Sequence, residues 1–146
     1  MEARILIRAY HPQDLDTILS IWLQGNLDAH PFVPADYWRK NYALTAQLLP
    51  QAEVYVAEVH GQVVGFLGLM EELVAGVFVD RAHRGAGLGS ALLRQAQERR
   101  DRLRLFVYQQ NPSALRLYQR HQFAITAAEI EPETGAWAYQ MEWKRR

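Results

Sequence analysis

Val77-Phe78-Val79-Asp80-Arg81-Ala82-His83-Arg84-Gly85-Ala86-Gly87-Leu88-Gly89-Ser90-Ala91-Leu92-Leu93 is the stretch on which the reading of this chain turns. The apolar run 73–79 reads as a buried strand. A glycine-rich turn over 84–89 follows it, and an amphipathic helix continues to about Arg99. Glycine admits backbone angles closed to other residues and carries no Cβ, so several N–H groups can converge on one point. The helix start adds unpaired donors and partial positive charge, worth roughly 0.3–1 kcal/mol to a nearby anion. Together they form an anion site suited to a phosphate or pyrophosphate. Arg81, His83 and Arg84 can add charge beside it.

Two kinds of phosphate site fail on the residues themselves. A Walker-type loop needs Lys and then Ser or Thr after its last glycine, whereas Gly89 is followed by Ser90 and Ala91. That omission also disfavours a nucleotide-binding regulator. A dinucleotide fingerprint needs a Gly-x-Gly-x-x-Gly register and an acid closing the next strand. Here the third glycine comes one residue early, and the next strand ends in Tyr108-Gln109. The pyrophosphate of coenzyme A is the reading that remains.

Downstream of the turn, 103–108 reads as a strand. Asn111-Pro112-Ser113 then opens a helix to about Arg120, with Asn at the cap and Pro at the first position. Strands at 123–130 and 136–143 close the chain around Pro132-Glu133-Thr134-Gly135. Upstream, 53–59 and 62–70 form a hairpin about His60-Gly61. One helical region spans about Ala35 to Leu49 and ends at Pro50, after a loop at 28–34 with two prolines. A helix carrying Leu15, Ile18, Leu19, Trp22 and Leu23 starts from His11-Pro12-Gln13-Asp14, and residues 3–9 alternate as a strand. The order β-α-α-β-β-β-α-β-α-β-β predicts an α/β protein, with helices covering a partly antiparallel sheet. No repeat or linker divides it, so 1–146 reads as one domain.

The run Arg84-Gly85-Ala86-Gly87-Leu88-Gly89 resembles the Arg/Gln-x-x-Gly-x-Gly/Ala signature of the GCN5-related N-acetyltransferases, the GNAT superfamily. Asn111, Ala114 and Tyr118 match that family's Asn-x-x-Ala-x-x-x-Tyr helix, and the strand order resembles its fold along essentially the whole chain. His30-Pro31-Phe32, Tyr37-Trp38 and Tyr108-Gln109 are similar to a small bacterial subgroup that includes protein-lysine acetyltransferases. One departure stands out: Gln122-Phe123 replaces the family's usual Gly-Phe after the Tyr helix.

The resemblance implies a mixed, mostly antiparallel central sheet with a splayed parallel strand pair, flanked by about four helices. It implies acetyl-CoA as co-substrate, with the pantetheine arm paired to the backbone of Val77, Phe78 and Val79. The amides of Arg84, Gly85, Ala86, Gly87, Leu88, Gly89 and Ser90 would hold the pyrophosphate, and Asn111 would contact the pantetheine or position the Tyr helix. The reaction would be direct attack of an amine on the thioester. An alkylammonium, with a reference pKa near ~10.4, must first lose a proton, and the leaving thiolate, near ~8.5, gains from a nearby acid. Tyr118 is the candidate acid; alternatively it is a core tyrosine beside Leu115 and Leu117. Glu71, Glu72 and His30 are candidates for the base. Glu71 and Glu72 could equally form a solvated turn, and His30 could stabilise its loop. Phe32, Tyr37, Trp38, Tyr108, Trp137 and Tyr139 are candidate acceptor-site walls or core residues. Glu129, Glu131 and Glu133 could attract a cationic acceptor or belong to a solvated loop.

Composition narrows the partners. The chain has 146 residues, 49% hydrophobic and 22% charged, with 16 acidic and 16 basic residues. That balance suggests neither nucleic acid nor a membrane as partner. Cysteine is absent, which excludes a thiolate nucleophile, and the histidines His11, His30, His60, His83 and His121 show no metal-ligand spacing. With no signal-like or membrane-spanning segment, the expectation is a cytoplasmic enzyme, monomer or homodimer, acting on a protein or small-molecule amine. The competing expectation is a non-catalytic acyl-CoA sensor of the same fold.

Overall fold

The computed structural model describes residues 4–146. Seven strands form one sheet in the order β1-β2-β3-β4-β5-β7-β6. They are β1 (Ile5–Ala9), β2 (Glu53–Val59), β3 (Gln62–Met70), β4 (Leu73–Val79), β5 (Arg102–Tyr108), β6 (Ala124–Ile130) and β7 (Trp137–Lys144). Every pairing is antiparallel except β4 with β5. Ala3, which the alternation assigns to the first strand, lies outside the described residues.

Five helices flank the sheet: α1 (Leu15–Ala29), α2 (Ala35–Lys40), α3 (Tyr42–Leu48), α4 (Leu88–Arg99) and α5 (Pro112–Arg120). A 3₁₀ turn at Pro12–Asp14 leads into α1, and buried Asp14 is bound there by Arg8 at 2.8 Å. The region 35–49, expected as one helix, is two. Asn41 (φ −89°, ψ 0°) breaks it, because its side-chain amide donates to the Tyr37 carbonyl at 2.7 Å and competes with the helical ladder.

Apolar residues bury on both faces of the sheet. On one, Leu88, Leu92, Leu93 and Ala96 of α4 meet Leu103, Leu105 and Val107 of β5, with Tyr118, Phe123 and Met141 in the same core. On the other, Ile18 and Ile21 of α1 pack on Val54, Val56 and Phe66. The period-2 alternation of β5 sends its Leu and Val residues into the α4–α5 core and turns Arg104 and Phe106 to the opposite face.

Strand β4 was expected to be buried, but only Val74 is; Ala75 is exposed and Gly76–Val79 are half-buried. The cause is the parallel pairing. Strands β4 and β5 are in register only at Leu73↔Arg104, beside a bond from the Arg104 amide to the Glu72 carbonyl at 2.9 Å. Beyond that point the strands diverge. β4 stays paired with β3 as far as Gly65↔Val79, and β5 with β7 as far as Tyr108↔Ala138. The sheet therefore opens as a wedge at its middle.

Candidate active site

A cleft of about 690 Å³ enters the wedge from the glycine turn. Gly85 and Gly87 have φ of +82° and +83°, angles that cost an L-residue roughly 1–2 kcal/mol. Nothing lies within 4 Å of where their Cβ atoms would sit, so the space above the turn is open to a ligand. Gly87 is the N-cap of α4, whose first amides face that space unpaired. Gly89 serves packing instead: a Cβ there would come within 3.2 Å of Leu117 on α5. Of the residues expected to hold the donor, Val77, Phe78, Val79, Arg84, Gly85, Gly87, Leu88, Gly89, Ser90 and Asn111 all line this cleft; Ala86 does not. The Arg84 guanidinium turns back, its Nε donating to the Val79 carbonyl at 3.1 Å, with Asp28 at 3.6 Å. The Ser90 hydroxyl is bonded to His121 at 2.9 Å.

Where the wedge passes through the sheet, a polar chain crosses from α1 to α5. The Asn26 side-chain amide donates to the Trp22 carbonyl at 2.9 Å, so its Oδ1 must accept from His30 Nδ1 at 3.1 Å. His30 Nε2 is then an acceptor, and the Asn111 side-chain amide donates to it at 3.1 Å. Asn111 Oδ1 in turn caps α5 by accepting from the Ala114 amide at 3.3 Å. The local bonds at both ends fix one histidine tautomer and leave neither ring nitrogen free. Burial pushes His30 from 6.5 down to about 4. Asn26 was not anticipated in the sequence; its only signal is a polar residue on the apolar side of α1, among buried Ile18, Ile21 and Gly25.

On the far side of the wedge lies a chamber of about 270 Å³, adjoining the cleft at His30, Val77, Phe78, Asn111 and Ala114. Tyr118 forms part of its wall. The Tyr118 ring is 7% exposed and packs on Phe123 at 6.0 Å, and burial pushes its hydroxyl from 10.0 up to about 12. It stays protonated well above neutral pH. Among the described residues that hydroxyl has no hydrogen-bond partner. Trp22, Trp38, Phe106 and Tyr108 supply aromatic walls, with Trp22 and Trp38 meeting edge to face at 6.1 Å. Glu131 faces the chamber from the β6–β7 connection, accepting from the Tyr108 hydroxyl at 2.6 Å and Thr134 Oγ1 at 2.8 Å. Burial, followed by that bond to Glu131, raises the Tyr108 pKa.

Glu71 and Glu72 sit elsewhere. They form the exposed β3–β4 turn, at the closed end of the wedge, and line neither hollow. Their carbonyls accept from Arg100 and from the Arg104 amide, so that turn is bonded to the start of β5. Tyr37 bonds Glu133 at the surface, Trp137 is half exposed, and neither lines the chamber. Among the described residues, no group of His, Cys, Asp or Glu could hold a metal ion, and no helix is long and apolar enough to cross a membrane.

A glycine turn open to an anion, a splayed parallel strand pair and a buried tyrosine in the wall of the adjoining chamber are the marks of an acyl-CoA-dependent acyltransferase. The chain belongs to the acetyltransferase (GNAT) domain family, whose model matches residues 50–125. It is 34% identical to the peptidyl-lysine N-acetyltransferase YiaC of Escherichia coli K12, over 94% of this chain and 96% of that protein. Its fold matches the solution structure of apo-form YjaB from Escherichia coli with a TM-score of 0.85 and 25% identity, covering 98% of this chain and 99% of that one. The fold also matches YncA, a Salmonella typhimurium acetyltransferase solved with its cofactor acetyl-CoA (TM-score 0.71, 23% identity, 98% and 95% coverage). The protein is therefore an N-acetyltransferase that moves an acetyl group from acetyl-CoA to a primary amine.

Proposed function

We propose that the acceptor is the ε-amino group of a protein lysine. The observation that carries this reading is the chamber itself. It is small and aromatic-walled and adjoins the donor cleft, so an unbranched alkylamine fits it as an extended arm. The similarity to YiaC over nearly all of both chains supports the same acceptor. In this reading the amides of Gly85 and of Gly87 to Ser90 hold the pyrophosphate, and the edge of β4 at Val77 to Val79 that the splay leaves without β5 as a partner holds the pantetheine and acetyl groups. Asn111, oriented by His30 and Asn26, fixes the start of α5 and so the position of Tyr118. The amine nitrogen attacks the thioester carbon, the C–S bond breaks, and Tyr118 protonates the departing sulfur. Use of acetyl-CoA as donor supports a cytoplasmic site of action.

The test is release of free CoA thiol from acetyl-CoA, run against lysine peptides, peptides whose only amine is the N-terminus, polyamines and free amino acids. The proposal expects turnover chiefly with lysine peptides. Turnover with polyamines or N-termini and none with lysine side chains would replace the acceptor. Acetyl-CoA binding without turnover of any amine would favour a sensor.

A further inference from the structure

We infer that Glu131 receives the acceptor's ammonium group in the chamber and removes its proton. The inference rests on the proposed alkylamine acceptor. Among the described residues lining the chamber, Glu131 is the one carboxylate, and no Lys or Arg lines it. Its two protein donors, Tyr108 Oη at 2.6 Å and Thr134 Oγ1 at 2.8 Å, are neutral hydroxyls bound to the same oxygen, Oε1. Oε2 is left without a protein partner among the described residues. The carboxylate thus brings one negative charge, held in place but not balanced, into a pocket of aromatic rings. Aromatic faces and an unpaired carboxylate together select an alkylammonium over a neutral ligand.

The backbone makes the position firm. The Glu131 amide donates to the Ala136 carbonyl and the Gly135 amide to the Glu131 carbonyl, both at 2.8 Å, closing the connection into a tight loop. The other candidate bases are placed differently. Glu71 and Glu72 lie on the β3–β4 turn outside the chamber, and both nitrogens of His30 are engaged.

The step balances as follows. The ammonium gives one proton to Glu131 Oε2, which returns it to solvent. The neutral amine forms the C–N bond to the thioester carbon. As the C–S bond breaks, the sulfur takes the Tyr118 proton, and the second proton shed by the nitrogen restores Tyr118. Acetyl amide, free CoA and one proton result.

Glu131→Gln tests this, with acetyl-CoA affinity as the check that the variant folds, because the donor cleft does not include Glu131. Binding of n-butylammonium to the CoA-loaded protein should weaken by about tenfold or more. Near neutral pH, kcat/KM for whichever amine the wild type acetylates best should fall by about 10²–10⁴-fold. That deficit should narrow as pH rises toward the amine's own pKa near ~10.4, since the amine then deprotonates unaided. Tyr108, Tyr37 and Glu133 are the titratable groups nearest Glu131, with His30 and Tyr118 elsewhere on the chamber wall, and a Tyr37→Phe control removes one of them from the profile. Should the Gln variant fail to fold, Thr134→Val, which frees Oε1 of one donor, is expected to lower kcat/KM several-fold at unchanged acetyl-CoA affinity. Unchanged butylammonium affinity, or kcat/KM within about threefold of wild type at neutral pH, would overturn the assignment. Failure of lysine peptides as substrates would overturn only the acceptor proposed above, because the butylammonium measurement does not depend on turnover.

Discussion

The donor cleft and the acceptor chamber meet at the same five residues, yet they are built in different ways. Half of the cleft's lining comes from one continuous run, β4 through the glycine turn into α4, and the rest from the end of α1 and the segment that opens α5. The chamber is assembled from side chains of α1, α2, β4, β5, α5 and the β6–β7 connection. A ligand that never changes can be held by local backbone geometry. A variable acceptor is better read by side chains on separate elements, each replaceable without disturbing the turn.

The contrast can be broken first on the chamber side. Tyr118→Phe should lower kcat by about 10²–10⁴-fold while leaving acetyl-CoA affinity unchanged, because only the hydroxyl is lost from a ring that stays packed on Phe123. Steady-state rates with calorimetric acetyl-CoA binding would check it. A loss of binding would mean that Tyr118 is a core residue serving both hollows.

On the donor side, Gly87→Val forces a β-branched residue to a φ of +83° at the start of α4. The KM for acetyl-CoA should rise about tenfold or more, with the KM for the amine little changed. Equal changes in both would show that the two regions are not separable.

A smaller effect concerns the link between them. His30 is held neutral, near 4 against 6.5 when unfolded. As pH falls below about 6.5 the unfolded chain takes up the proton first, so stability is full above that pH and declines toward pH 4, by up to about 1.4 kcal/mol per unit. Urea denaturation at several pH values would show the slope, and His30→Gln should flatten it.

The smallest prediction lies at the end of α5. Gln122 occupies the left-handed position, at φ +72°, where the family usually has glycine. The helix still closes normally, the Phe123 amide donating to the Tyr118 carbonyl at 3.1 Å. Gln122→Gly should therefore raise stability by about 1 kcal/mol without altering either KM. Thermal unfolding measures it.

The same contrast explains what could be read in the sequence. The glycine turn and the Asn111-to-Tyr118 helix were legible because local spacing fixes them, and the element order followed from period and caps. The exposure of β4 was not legible, since it depends on how far β5 diverges, which no pattern within 73–79 records. The break at Asn41 was hidden in a run with otherwise helical spacing. The Asn26–His30–Asn111 chain joins residues far apart in sequence. Glu131 was visible as one of three acids, Glu129, Glu131 and Glu133, and only its contact with Tyr108 and Thr134 sets it apart.

The central claim is that donor and acceptor occupy two hollows at once and react directly where they join. Initial rates over a matrix of acetyl-CoA and lysine-peptide concentrations test it most directly. Double-reciprocal lines that intersect, with no acetylated enzyme detected by mass spectrometry, are the predicted result. Parallel lines, with an acetyl group carried on the protein in the absence of acceptor, would contradict it.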